Sequence, residues 1–176
     1  MFYHTIKREL QYSGPLFDVV KVTLQLPNKK ERPYDLVEHT NSVAIVPVDK
    51  NGMIVFVSQF RVGVGDILLE LPAGLLDPGE EPLVSAHREV REEIGMAAHD
   101  MRLLGEFYLS PGWTDEYISI FLARDLYPSP LQPDDDEFIN LVTMPIEEVY
   151  EKAYAGEFKD GKTLAALLLA EPFLCL

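Results

Sequence analysis

Residues Gly74 to Met96 read GLLDPGEEPLVSAHREVREEIGM, and the rest of the chain is organised around them. Asp77-Pro78-Gly79 is turn chemistry, and Pro82 suits the first turn of a helix, where a missing N–H costs nothing. The pattern predicts a helix from near Glu81 to Gly95, with glycine as its stop signal. At about 100° per residue, Glu89, Glu92 and Glu93 fall within roughly a third of a turn of one another. Leu83, Ala86, Val90 and Ile94 point to the opposite side, so one face reads as core and the other carries three carboxylates.

Acids this close repel one another and raise one another's pKa values unless they share a cation. Oxygen ligands with no histidine or cysteine beside them suit Mg²⁺ or Mn²⁺ rather than Zn²⁺. A solvated acidic helix face is the commoner meaning of a lone Glu-x-x-Glu-Glu, but it leaves the preceding loop unexplained. Gly74, Glu80, Arg88-Glu89-Val90, Glu92-Glu93 and Gly95-Met96 fill every fixed position of a known signature, and the stretch resembles the Nudix hydrolase family. That resemblance implies an α/β fold, an α/β/α sandwich with a mixed β-sheet, and hydrolysis of a nucleoside diphosphate linked to another moiety with Mg²⁺. Leu71-Pro72-Ala73-Gly74 before the box and Ser110-Pro111-Gly112 after it are similar to the ADP-ribose pyrophosphatase branch.

A chain of 176 residues, 47% apolar, has enough material for an ordinary core. The opening MFYHTIKREL lacks a continuous apolar run, and no stretch is long enough to span a bilayer, so the expectation is a cytoplasmic chain with no membrane partner. Cys175 is the only cysteine and cannot form an internal disulfide. A net charge of −14 argues against nucleic-acid binding, which needs a basic footprint. The same charge is compatible with a phosphate substrate if bound cations supply the positive field locally.

Two domains are expected: an N-terminal β-arm over residues 1–40 and a catalytic domain over residues 41–176. The arm reads as strands Asp18 to Leu26 and Pro33 to His39 around Pro27-Asn28-Lys29-Lys30, with Val20, Val22, Leu24 and Leu26 alternating. A two-stranded hairpin is marginal by itself. In the resembling family this arm reaches a second subunit, which implies a homodimer. Arg32 stands near the place where that branch carries a basic contact to substrate, with its register open.

Ser42 to Val48 and Met53 to Phe60 are β-branched runs flanking Asp49-Lys50-Asn51-Gly52, a hairpin turn by its Asn-Gly. Arg61 closes the second run. Its planar guanidinium matches a phosphate, although arginine is most often a surface residue. The triplet Gln59-Phe60-Arg61 resembles the family's phosphate-contacting position. A further strand, Ile67 to Leu71, delivers Ala73, whose carbonyl is a metal ligand by resemblance, and Leu75, which the same resemblance sends into the substrate pocket.

Past the helix, Met101 to Leu109 and Tyr117 to Ala123 read as strands around the loop Ser110 to Glu116. By resemblance Ser110, Pro111 and Gly112 contact substrate, and Glu116 hydrogen-bonds sugar hydroxyls. Trp113 reads equally as a base platform or a loop anchor. Pro128 to Asp136 is rich in proline and acid, which marks a surface loop. In the resembling enzymes such a loop supplies the carboxylate that activates water or holds a further metal, which points to Glu137 and Asp135 and leaves the base open between them. Phe138 to Met144 reads as a last strand, Pro145 to Ala155 as a helix, and Thr163 to Ala170 as a final apolar helix.

The resemblance thus implies cleavage of ADP-ribose, or a related ADP-sugar, to AMP and sugar phosphate. Glu89, Glu92, Glu93, the Ala73 carbonyl and Glu137 would hold on the order of two or three Mg²⁺ (or Mn²⁺) ions, and Glu93, Glu137 and Asp135 are the catalytic candidates. Other nucleotide sugars, dinucleotides and flavin adenine dinucleotide share the box as substrates of relatives. A non-catalytic nucleotide sensor is the alternative from another class, and the complete set of box acids argues against it.

Overall fold

Val20 and Val22, two apart, form one buried side of a strand, and the strand they belong to, β2 (Phe17–Gln25), lies at the centre of a three-stranded antiparallel sheet. Its neighbours are β1 (His4–Ser13) and β3 (Glu31–His39), with Val20 opposite Leu10 and Leu36. The computed structural model describes residues 2–132 and 138–174. This sheet, with Phe107–Ile118, forms the first of two compact units; the second holds Ser42–Glu106 and the described residues from Ser119 onward.

Strand β1 is an addition to the expected two-stranded hairpin. Its register against β2 shifts between Thr5 and Lys7 and again between Leu10 and Tyr12, the mark of local bulges. Within the same unit the loop Ser110 to Glu116 is tied to β3: Val37 N–H donates to the Trp113 carbonyl (2.8 Å), and His39 N–H to Asp115 Oδ1 (2.9 Å).

In the second unit, β4 (Ser42–Pro47) is buried throughout and leads into β5 (Met53–Arg61) through the predicted turn. Asp49 Oδ1 accepts from the backbone of Asn51 and Met53, and Gly52 takes the left-handed conformation with φ 74°. There follow β6 (Asp66–Glu70), β7 (Ala73–Leu75), α1 (Pro82–Glu93), β8 (Met96–Tyr108), β9 (Tyr117–Pro128), β10 (Asn140–Pro145), α2 (Ile146–Tyr154) and α3 (Gly161–Ala170). Two sheets result, ordered β10-β5-β6 and β7-β4-β9-β8.

Helix α1 covers one side of these sheets. Ala86, Val90 and Ile94 pack with Val43, Ile45, Val55, Val57, Phe121 and Ala123 in one buried cluster. Leu83, expected on that apolar face, is instead 47% exposed, as is its neighbour Val84 at 57%, so the first turn of α1 adds no apolar side chain to the core. On the other side, Phe158 stacks on Phe56 at 5.4 Å, and Tyr150 of α2 donates its hydroxyl to the Leu167 carbonyl of α3. Helices flank the sheets on both sides, the expected α/β/α layering. No helix among the described residues is long and apolar enough to cross a membrane.

Candidate active site

The box begins at a turn in which Glu80 N–H donates to the Asp77 carbonyl (2.9 Å) and Gly79 sits at φ 81°. Pro82 opens the helix as expected, with no side-chain cap before it. The helical period then aims Arg88, Glu89 and Glu92 at one place. Arg88 occupies its centre: Nη1 donates to Glu89 Oε1 (2.6 Å) and Glu92 Oε2 (2.8 Å), Nε to Glu80 Oε1 (3.1 Å), and Nη2 to Glu80 Oε2 and the Leu75 carbonyl (both 2.9 Å). The contact with Glu80, then the charges of Glu89 and Glu92, raise the Arg88 pKa further above its ordinary value against the opposing effect of burial. Glu80 is held below the usual carboxylate range by the same guanidinium. One arginine therefore gathers three neighbouring carboxylates and fixes the backbone that Leu75 belongs to.

Glu89 and Glu93 are 6% and 7% exposed. Glu93 Oε2 accepts from the Ala73 N–H at 2.9 Å, which brings the Ala73 peptide against the helix. Gly74 answers to Glu89 in another way: a Cβ on Gly74 would stand 2.1 Å from Glu89 Cδ and Oε1. The glycine is there to leave room for a carboxylate against the backbone, and not to make a sharp turn, because Gly74 is paired with Val43 in β7 and does not have positive φ.

Among the described residues no three acids, histidines or cysteines stand in metal-holding geometry; Arg88 takes Glu89 and Glu92 while the Ala73 amide takes Glu93. The donor chemistry nevertheless fits a hard divalent cation. Glu89, Glu92 and Glu93 are carboxylates without soft neighbours, and the space at Gly74 sets a carboxylate against the Ala73–Gly74 backbone.

Arg61 is held by a residue the sequence reading passed over. Its Nε and Nη2 donate to the two oxygens of Glu70 at 2.8 and 2.7 Å, a bidentate fork. Glu70 is 1% exposed and takes a second cation, Lys162, whose Nζ lies 2.5 Å from Oε2. Burial pushes the Glu70 pKa up, but Arg61 and Lys162 outweigh it and hold the carboxyl below its ordinary value. Lys162 also pairs with Asp160 at 3.0 Å, and Asp160 caps α3 through the Thr163 N–H. Thr163 Oγ1 in turn accepts from the Leu71 N–H at 2.9 Å. The pattern Asp160-Gly161-Lys162-Thr163 is legible as a helix start, and Glu70 as a lone acid in an apolar run. Nothing in their spacing along the chain announced that they meet.

The acid cluster, Ala73, Leu75 and Arg61 thus belong to the second unit, whereas Ser110, Pro111, Gly112 and Glu116 belong to the first. There the Ser110 carbonyl accepts from both the Trp113 and Thr114 amides, and Glu116 N–H donates to Thr114 Oγ1. Trp113 is exposed. Asp135 and Glu137 lie outside the described residues. The segment before them is fastened to α1: Arg91 Nε donates to the Ser129 carbonyl, Leu131 N–H to the Arg91 carbonyl and Ser129 N–H to the Gly95 carbonyl, each at 3.0 Å.

A layered α/β domain with an acid-lined helix beside the Leu71-Pro72-Ala73-Gly74 segment, whose last two residues open β7, is the frame of a class of pyrophosphohydrolases that generally use divalent metals. Residues 38–167 match the NUDIX domain, and the chain belongs to the Nudix family. It is 35% identical over 165 residues to an ADP-ribose pyrophosphatase of Bacillus subtilis (strain 168), covering 93% of this chain and 89% of that one. It is 33% identical, with the same coverage, to a methanol dehydrogenase activator of Bacillus methanolicus. A crystal structure of an ADP compounds hydrolase superposes with a TM-score of 0.90 at 28% identity, over 99% of this chain and 95% of the other.

Proposed function

We propose that this protein hydrolyses the pyrophosphate bond of ADP-ribose or a related ADP-sugar to AMP and a sugar phosphate. The observation that carries the reading is the intact acid helix, with Glu89, Glu92 and Glu93 gathered by Arg88 and the Ala73 amide against Gly74. The similarity to an ADP-ribose pyrophosphatase over nearly the whole chain supports the substrate class.

Glu89, Glu92, Glu93 and the Ala73 carbonyl, with Glu137, would hold Mg²⁺ or Mn²⁺, on the order of two or three ions. Such cations supply positive charge to a diphosphate and make a water more acidic, which resolves the mismatch between an acidic chain and an anionic substrate. Arg61 orients the diphosphate with the donors that Glu70 leaves unused. Water adds to one phosphorus, the bridging oxygen leaves with the other, and Asp135 or Glu137 takes the proton. Leu75 contacts substrate, as do Ser110, Pro111 and Gly112, and Glu116 accepts from sugar hydroxyls.

The protein is proposed to work as a cytoplasmic homodimer through its N-terminal β-arm over residues 1–40. Tyr3, Ile6, Leu10 and Tyr12 of that arm are exposed, which supports a partner surface there. Light scattering at micromolar concentration reads the dimer directly; a monomer would sink that part.

The activity is tested by AMP release from ADP-ribose, other ADP-sugars, diadenosine polyphosphates, flavin adenine dinucleotide and GDP-mannose, each with and without Mg²⁺. A Mg²⁺-dependent preference for ADP-ribose is expected. Preference for another member discards the reading of the Ser110 to Glu116 loop and keeps the acid helix, while binding without turnover discards the enzyme.

A further inference from the structure

The Arg61 fork uses two of the five donors a guanidinium carries, and the others make no hydrogen bond to any described residue. An arginine paired with one carboxylate is electrically spent, which makes a poor anion clamp. Here the carboxylate is shared. Lys162 Nζ reaches Glu70 Oε2, the oxygen that also accepts from Arg61 Nη2, so Arg61, Glu70 and Lys162 together carry one net positive charge. Asp160, the remaining acid beside Lys162, is committed to the N-terminus of α3, accepting from Thr163 N–H at 3.0 Å and Thr163 Oγ1 at 2.6 Å. The helix end there carries about half a positive charge, which offsets part of Asp160.

We infer that Lys162 is a positioning residue for the reaction: by sharing the buried Glu70 carboxylate it keeps Arg61 fixed in the fork and leaves the guanidinium's charge available to a substrate diphosphate. This rests on the reading of Arg61 as the diphosphate clamp. Strand register supports the geometry. Arg61 is opposite Asp66, Gln59 opposite Leu68 and Val57 opposite Glu70, so Arg61 and Glu70 lie on one face, and the arginine stretches back along β5 to reach its partner. An arginine held only by its stem would sweep a wide arc. Lys162 is not what docks α3, since Thr163 and the Asp160 cap bind Leu71 and the helix end independently.

The test compares wild type with Arg61→Ala, Lys162→Met, Lys162→Arg and the double variant Arg61→Ala/Lys162→Met. KM and kcat for ADP-ribose at saturating Mg²⁺ are read beside the calorimetric Kd of ADP. Lys162→Met, which keeps an unbranched apolar stem, is expected to raise KM and the ADP Kd about tenfold, the scale of one charge-assisted contact, with kcat nearly unchanged. Lys162→Arg restores most of the loss, and Lys162→Met adds nothing once Arg61 is alanine. If Lys162→Met folds poorly, Lys162→Gln carries the same comparison. Weak binding in Arg61→Ala beside normal binding in Lys162→Met, or additive losses in the double variant, overturns the role of Lys162 alone. Unchanged KM and Kd in Arg61→Ala overturn the clamp and the inference with it. Absence of ADP-ribose turnover in wild type refutes the proposed activity, and the ADP Kd values still decide Lys162.

Discussion

Replacing Gly74 with alanine adds one methyl group, and its consequence can be worked from the contact it would make. The new Cβ would lie 2.1 Å from Glu89 Cδ and Oε1, whereas ordinary contact begins near 3.4 Å, so the carboxylate must retreat by about 1.3 Å. It cannot do so freely, because Glu89 is buried and bonded to Arg88 at 2.6 Å. Overpacking of this kind costs about 2 kcal/mol, and a misplacement on the order of 1 Å in a catalytic group costs about a hundredfold in rate. Gly74→Ala should therefore lower the melting temperature by several degrees, weaken Mn²⁺ binding measured by electron paramagnetic resonance, and cut kcat about a hundredfold. The decisive comparison is made in a Glu89→Ala background. With the carboxylate gone the methyl group meets little, and most of the stability cost of Gly74→Ala should vanish. Equal costs with and without Glu89, or wild-type kcat in Gly74→Ala, would refute the assignment of Gly74 as space for a carboxylate.

Glu93→Gln keeps shape and loses charge, and is expected to cut turnover at least about a hundredfold with the fold intact by circular dichroism; near-normal turnover would remove Glu93 from the metal set. Glu70 contributes a pH dependence whose sign follows from its depressed pKa: its stabilisation is full above the ordinary carboxylate value of 4.5 and is lost as pH falls through the lower folded value. Glu70→Gln should flatten the acid limb of stability against pH, measured by urea unfolding below pH 5 or so, and should leave the share that Glu80 supplies in the same window; parallel limbs would contradict this. Gln59 Oε1 is buried with no partner among the described residues, so Gln59→Met should stabilise the protein by about 1 kcal/mol in thermal unfolding. A lower melting point in that variant would mean the oxygen is satisfied by water.

What could be read beforehand was local. The helix over Pro82–Glu93, its core residues Ala86, Val90 and Ile94, and the turn at Asn51-Gly52 are set by period and turn chemistry within a few residues, and they stand where the pattern put them. Strand β1 was harder to read because it is exposed almost throughout and offers only Ile6, Leu10 and Tyr12 as apolar residues. The role of Glu70 was illegible for another reason. Its partners lie 9 and 92 positions away in sequence, and no periodicity reports on a contact of that span. Gly74 is the intermediate case. Its presence was legible, but the reason was not, because a sequence distinguishes poorly between a glycine that must bend and one that must be small.

Both charged centres of the second unit are built on one buried or half-buried charge shared among partners of the opposite sign. Arg88 is divided among Glu80, Glu89 and Glu92, and Glu70 is divided between Arg61 and Lys162. The two differ in what they leave over. Around Arg88 the sum is negative, three carboxylates against one guanidinium, which favours a divalent cation. Around Glu70 two cations face Glu70 and Asp160, and the N-terminus of α3 offsets part of Asp160, so the balance is slightly positive, which favours a phosphate. The charge of Glu93 reaches Arg61 and raises its pKa after the dominant effect of Glu70, so the two centres feel one another. An overall charge of −14 is therefore a poor guide to what the chain can bind. The negative excess at α1 suits a metal and the positive excess at β5 a diphosphate; removing Lys162 should erase the second, whereas removing Arg88 should deepen the first.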